Sequence, residues 1–117
     1  FTLSDESGYF KLGPKTLIVP EQTNIYQNYP NPFNPTTTVI YDIGLMDGID
    51  QRVSVNVYNL VGQHVTTLIN NESQVGQFYV KWDGSDKFGK MLPSGIYFVQ
   101  LKTDSGIIKN KKMMFLK

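Results

Sequence analysis

The chain has 117 residues, 40% of them hydrophobic, which is enough for one domain with a core of its own. Its 11 basic and 10 acidic residues nearly cancel, so the overall charge gives no reason to expect binding to nucleic acid. The absence of cysteine excludes disulfides and thiol chemistry within these residues, and no apolar run is long enough for a membrane-spanning helix.

The first 27 residues show only broken strand patterns. Residues 10–12 and 16–19 are candidate strands, but glycine and proline interrupt them. Residues 21–24 are polar and have no alternation, so we expect them to be mobile. We interpret residues 1–27 as the end of a preceding region and a linker, and residues 28–117 as a folded domain.

The segment NYPNPFNPTT, which follows, contains three prolines, Pro30, Pro32 and Pro35. Proline has a fixed φ and no amide hydrogen, so this stretch is neither helix interior nor central strand. Proline also favours extended geometry in the preceding residue and reduces the entropy lost on folding. We predict a stiff loop at the start of the domain, with Tyr29 and Phe33 folded over one end of it.

The rest of the chain alternates between strand patterns and turn signals. Val53, Val55 and Val57 alternate with polar residues, a period of two that places the valines on one face. The predicted strands cover residues 38–43, 53–57, 64–69, 77–82, 96–103 and 107–116. No segment sustains the apolar spacing of a helix. The pattern predicts an all-β fold, a sandwich of two antiparallel sheets.

Several segments, taken in order, carry a resemblance to a known family: NYPNPFNPTT with VIYDI, VSVNVYNLVGQHVTTL, WDGSDKFGKMLPSGIYFVQL and KKMMFLK. Over residues 25–117 they resemble the type A carboxy-terminal sorting domain of the type IX secretion system of Bacteroidetes-like bacteria. The YNLVGQ and WDG…SGIY features also resemble the immunoglobulin-like module of flagellar hook-capping proteins. Both resemblances imply an immunoglobulin-like antiparallel β-sandwich of about seven strands.

The resemblance to sorting domains also implies a function, partners and a location. Such a domain directs an attached amino-terminal cargo through the outer membrane by contact with the type IX translocon. A sortase-like peptidase then removes the domain, or the domain is retained, so the product is secreted or held at the cell surface. The implied recognition residues lie in the SGIY motif and around the last strand: Ser94, Gly95, Tyr97, Lys111, Lys112 and Lys117.

The last predicted strand permits two interpretations that the residues alone leave open. Lys109, Lys111 and Lys112 stand among apolar residues, which is typical of an edge strand guarded against aggregation. The same strand could instead be read by a partner, and addition of a strand to its edge would be a natural mode of docking.

No arrangement of residues indicates catalysis, a cofactor or a metal site. His64 is the only histidine, and no Ser–His–Asp set has a recognisable spacing. Asp83 and Asp86 follow Trp82, but the spacing and the closing glutamate of a calcium loop are missing. We interpret these aspartates as turn residues that bond their own backbone beside a buried tryptophan, and we predict that the domain is not an enzyme.

Two other functions remain open from the sequence. One is a carbohydrate-binding module that uses Tyr9, Tyr26, Tyr29 and Phe33 as a stacking platform. Clustering of these rings on a flat exposed face would favour this function, and burial of Tyr29 and Phe33 would oppose it. The other is an immunoglobulin-like spacer with a purely structural role.

Overall fold

The computed structural model of the chain describes residues 22–117, which form seven strands: β1 (Asn24–Ile25), β2 (Thr37–Ile43), β3 (Gln51–Asn59), β4 (His64–Gln74), β5 (Gly76–Trp82), β6 (Gly95–Thr103) and β7 (Ile108–Phe115). One sheet has the order β1-β2-β5 and the other β4-β3-β6-β7, and every strand pairing is antiparallel. This part of the chain has no helix, and hence none that could span a membrane. The predicted all-β sandwich is confirmed.

The core forms between the two sheets, as the period-two alternation predicts. Val53, Val55 and Val57 are fully buried, and the last two lie directly opposite Leu101 and Val99 on β6. Each such side chain contributes about 1.5–3 kcal/mol when it leaves water. The alternation in β3 and β6 is therefore sufficient to fix which face of the larger sheet points inward.

Five of the six predicted strands begin and end within two residues of the observed strands. The exception is β4, which continues to Gln74 through a segment predicted as a turn. Asn71 there has a φ of +53°, the Arg52 guanidinium donates to its side chain at 3.2 Å, and the β3–β4 register shifts nearby. The residues that resemble a turn in sequence thus form a bulge inside the long strand β4.

The sandwich begins before the predicted boundary at residue 28. Ile25 is buried in the core, and β1 pairs with β2 through the partners Asn24 and Asp42. The Thr23 hydroxyl accepts hydrogen bonds from the Gly44 amide and the Gln51 side chain, both at 3.1 Å. Residues 23–25 therefore belong to the sandwich and not to the linker predicted for residues 1–27. The sequence does not reveal this, because one buried isoleucine among polar residues produces no visible alternation. The candidate strands at 10–12 and 16–19 lie outside the described residues.

Candidate functional site: the proline end and the closing strand

Three of the six residues predicted to take part in recognition, Ser94, Gly95 and Lys117, lie at one end of the sandwich together with the proline segment. We call this region the proline end, and it consists of residues 28–36, 94–95 and 114–117. β5 and β7 end here and β2 and β6 begin here, so segments far apart in the chain become neighbours.

The proline segment pairs with the last strand. The Phe33 amide donates to the Met114 carbonyl, and the Leu116 amide donates to the Phe33 carbonyl, both at 3.0 Å. The Asn31 side chain accepts the Met114 amide at 2.9 Å. The segment therefore acts as a short parallel strand on the outer edge of β7. Proline is tolerated there because an edge needs few backbone donors.

The Phe33 side chain closes this end of the core. Its ring stacks on Phe115 with centroids 4.9 Å apart and lies 5.4 Å from Trp82, which in turn packs edge-on against Tyr97 at 5.4 Å. The prediction that the loop folds over the end of the domain is confirmed for Phe33. It is wrong for Tyr29, which is 80% exposed.

The turn after β5 is shaped to accept the Phe115 ring. Gly84 has a φ of +80°, and a Cβ atom there would lie 2.7 Å from the ring. Asp83 accepts the Ser85 amide at 3.0 Å and also the Ser85 hydroxyl, which lowers the pKa of the Asp83 carboxyl. The Trp82 indole donates to the Ser85 carbonyl at 2.9 Å. These bonds confirm that Asp83 is a turn residue beside a buried tryptophan.

We expect Gly84→Ala to be more destabilising than Gly89→Ala by about 1–3 kcal/mol. Both glycines have a similar positive φ, so the backbone strain is matched, but the space around Gly89 is open. The difference therefore isolates the clash with Phe115. Urea denaturation of the two variants measures it, and equal midpoints would contradict the close packing of the turn on β7.

The predicted recognition residues of the SGIY motif divide into internal and surface groups. Tyr97 is only 5% exposed, and its hydroxyl donates to the Pro93 carbonyl at 2.7 Å. This is the tyrosine corner found in immunoglobulin-like sandwiches, a brace between a loop and the following strand. Gly95 pairs with Phe115, and the Ser94 hydroxyl accepts the Lys117 amide at 2.8 Å. Of these four residues, Ser94 and Lys117 are the exposed ones.

The predicted basic pair does not form one patch. Lys111 lies opposite Val99 on the inward side of β7 and is half-buried, whereas Lys112 lies opposite Phe98 on the outer face and is exposed. Lys109 lies opposite Leu101, on the same side of β7 as Lys111, but it is exposed. An inward lysine on an edge strand hinders edge-to-edge association. The guard interpretation therefore fits Lys111, and Lys109 and Lys112 are the lysines of β7 that offer charge to a partner.

The outer edge of β7 is half covered. Met114 directs its amide and carbonyl to the proline segment, and the Lys112 carbonyl accepts the Gln27 side chain at 2.7 Å. Outward backbone groups recur at every second residue of a strand, so Asn110 and Ile108 also present theirs to this edge. Among residues 22–117 nothing pairs with them there. The first half of β7 thus has no strand paired to its outer edge in the described part of the chain, although β1 passes near β7.

An apolar groove of about 320 Å³ adjoins the proline end. Leu60 and Val61, at the tip of the β3–β4 turn, line it together with Pro93 and Ile96. Both turn residues are well exposed. In the sequence, YNLVGQ stands out only as a feature shared with the hook-capping family. Two large apolar residues at the tip of a tight turn are nevertheless a visible signal of an interaction surface.

Within the described part of the chain, no three side chains of the kinds that hold a metal ion come together. His64 contacts the side chains of Asn56 and Thr67 on the exposed face of β3 and β4, and no carboxylate accompanies it. Of the rings predicted to form a carbohydrate platform, Phe33 is buried in the core, whereas Tyr26 and Tyr29 are exposed. Tyr9 lies outside the described residues.

Comparison with known proteins gives one family. The model of the FlgD Ig-like domain matches residues 33–106, which begin at Phe33 and include β2 to β6. No curated protein matches the chain. The match extends over more than half of the chain and agrees with the sheet order and the tyrosine corner described above. The chain therefore belongs to the family of FlgD Ig-like domains.

Proposed function

We propose that this immunoglobulin-like domain is a sorting module of the type IX secretion system. It carries an attached amino-terminal cargo through the outer membrane, is recognised by the translocon and has no catalytic activity of its own. A sortase-like peptidase then removes it, or it remains at the cell surface. The ordered series of motifs supports this function, and membership of the FlgD Ig-like family is consistent with it.

The observation that carries the proposal is the open, basic half of β7. Among residues 22–117, no strand pairs with the outward backbone groups of Ile108 and Asn110, and an edge of this kind is what strand addition requires. Lys109 and Lys112, which are exposed on opposite faces of β7, add positive charge on both sides of this edge. Charge of one sign at a docking site speeds encounter with an acidic partner and disfavours wrong ones.

The path of the chain supports the same surface. Gln22 and Thr23 line one small pocket together with Ile107 and Lys109, so the first described residues lie beside the first half of β7. A translocon component bound to this edge would therefore sit next to the connection with the cargo. A peptidase that cuts this connection would reach it at the same place.

A fusion experiment tests the function. A periplasmic reporter joined to residues 1–117 should reach the medium or cell surface of a bacterium with a working type IX system. Retention of this fusion in the periplasm, in a host that exports its own cargo, would contradict the sorting function.

The variant Lys109→Gln with Lys112→Gln tests the surface. Both side chains are exposed, so stability should change by no more than about 0.5 kcal/mol while export falls. Lys111 is unsuitable for this purpose because it is half-buried. The matched control, Lys81→Gln with Lys90→Gln, removes the same charge elsewhere and should export normally. Full export by the folded β7 variant would exclude the two lysines from recognition.

A further inference from the structure

The outer face of the β1-β2-β5 sheet is an ordered grid of side chains. In β2, Val39, Tyr41 and Ile43 point into the core, so the even-numbered residues point outward. Residues directly opposite each other on antiparallel strands lie on the same face. The pairing therefore defines three rows that cross the three chain segments: Asn24, Asp42 and Gln77; Tyr26, Ile40 and Tyr79; Tyr29, Thr38 and Lys81.

The middle row is aromatic at both ends and exposed. Tyr79 is 72% exposed, and Tyr26 and Ile40 are each about 40% exposed. Tyr29, at the end of the next row, is also largely exposed. A solvent-facing row of this kind on a flat sheet is a surface that a ligand can cover.

Polar contacts hold part of this surface in place. The Tyr26 hydroxyl donates to one oxygen of Asp42, and the Gln77 side chain donates to the other at 2.9 Å. Asp42 itself is buried by these neighbours. The Tyr26 ring is thus anchored across the sheet before any ligand arrives, which reduces the entropy that binding would cost.

We propose that this face binds a linear β-1,4-linked glycan, stacked on Tyr26 and Tyr79. The two tyrosines stand on strands separated by β2, so their backbones are about 10 Å apart, twice the strand spacing. That distance is close to the length of one disaccharide in a flat β-1,4-linked chain. Tyr26 and Tyr79 would therefore stack on two sugars that are two positions apart in the chain.

The rows on either side fit the edges of the same ligand. A sugar in such a chain has C–H groups on its faces and hydroxyls around its rim. Ile40 and the tyrosine rings suit the faces, and Gln77 and Lys81, one on each side of Tyr79, suit the hydroxyls. This alternation of apolar and polar rows distinguishes a glycan from a protein partner, whose buried contact would need a more continuous apolar centre.

Isothermal titration of residues 1–117 with cellohexaose, chitohexaose and mannohexaose tests the proposal. We expect binding of at least one of them, and none of maltohexaose, whose α-1,4 linkages curve the chain away from a flat sheet. Tyr79→Ala should weaken binding roughly tenfold, the effect of one lost aromatic contact. Phe88→Ala, which removes an equally exposed ring from the β5–β6 loop, should leave binding unchanged.

Several outcomes would overturn the proposal. They are absence of binding to all three β-1,4-linked hexasaccharides, equal binding of maltohexaose, and unchanged affinity in Tyr79→Ala. A concentration-dependent dimer that Tyr79→Ala abolishes would assign the face to a second copy of the chain instead. Export does not enter any of these readouts, so the result is independent of the sorting function.

Discussion

Trp82→Ala is expected to lower the free energy of unfolding by about 3–5 kcal/mol. The ring is only 2% exposed, packs against Phe33 and Tyr97, and donates a hydrogen bond to the Ser85 carbonyl. Domains of this size have a total stability of about 5–15 kcal/mol, so the loss is a large share of it. The melting temperature should fall by on the order of 15 °C or more.

Two variants make the Trp82 experiment specific. His64→Ala removes an exposed ring with only side-chain hydrogen bonds and should cost at most about 1 kcal/mol. Trp82→Phe keeps an aromatic ring in the cluster and should fall between wild type and Trp82→Ala. Chemical denaturation followed by circular dichroism measures all three. Equal midpoints for wild type and Trp82→Ala would show that the ring does not belong to the core.

Phe33→Ala should have an effect of similar size, about 3–5 kcal/mol, although Phe33 lies in a loop. Its ring is fully buried between Phe115 and Trp82, and its backbone pairs with β7. Without this ring the proline segment loses its buried aromatic contact with Phe115 of β7. The variant should therefore free that edge as well as weaken the core.

Hydrogen exchange separates these two effects of Phe33→Ala. The Leu116 amide donates to the Phe33 carbonyl, so it should lose more protection than the Val99 amide in the centre of β6. Tyr29→Ala is the matched control, since this residue belongs to the same segment but is exposed, and its cost should be within about 0.5 kcal/mol. An equal loss of protection at Leu116 and Val99 would mean that the segment does not open on its own.

The candidate site could be predicted only in part. The stiffness of the proline segment is visible in Pro30, Pro32 and Pro35, but its place beside β7 depends on contacts between residues about 80 positions apart. Local periodicity contains no information on such pairing. The opposite facing of Lys111 and Lys112 could have been predicted, because adjacent residues of a strand always point to opposite faces.

Tyr97 shows that a sequence motif alone does not reveal whether a residue has a structural or a binding role. The resemblance assigned it to recognition together with Ser94 and Gly95, although its alternation with Val99 and Leu101 places all three on one face of the strand. The structure agrees with the alternation, since the ring is buried and the hydroxyl braces Pro93. A motif can therefore mark a structural brace as readily as a binding residue.

The sequence by itself determined the all-β class, most strand positions and the inward faces of β3 and β6. These follow from alternation along a single strand, which depends only on local backbone geometry. The tertiary structure decided which segments became neighbours: Phe33 on β7, the open edge at Ile108 and Asn110, and the row of Tyr26 and Tyr79. The reason is physical, since these pairings are selected by packing of the whole sandwich, and no short stretch of the chain encodes them.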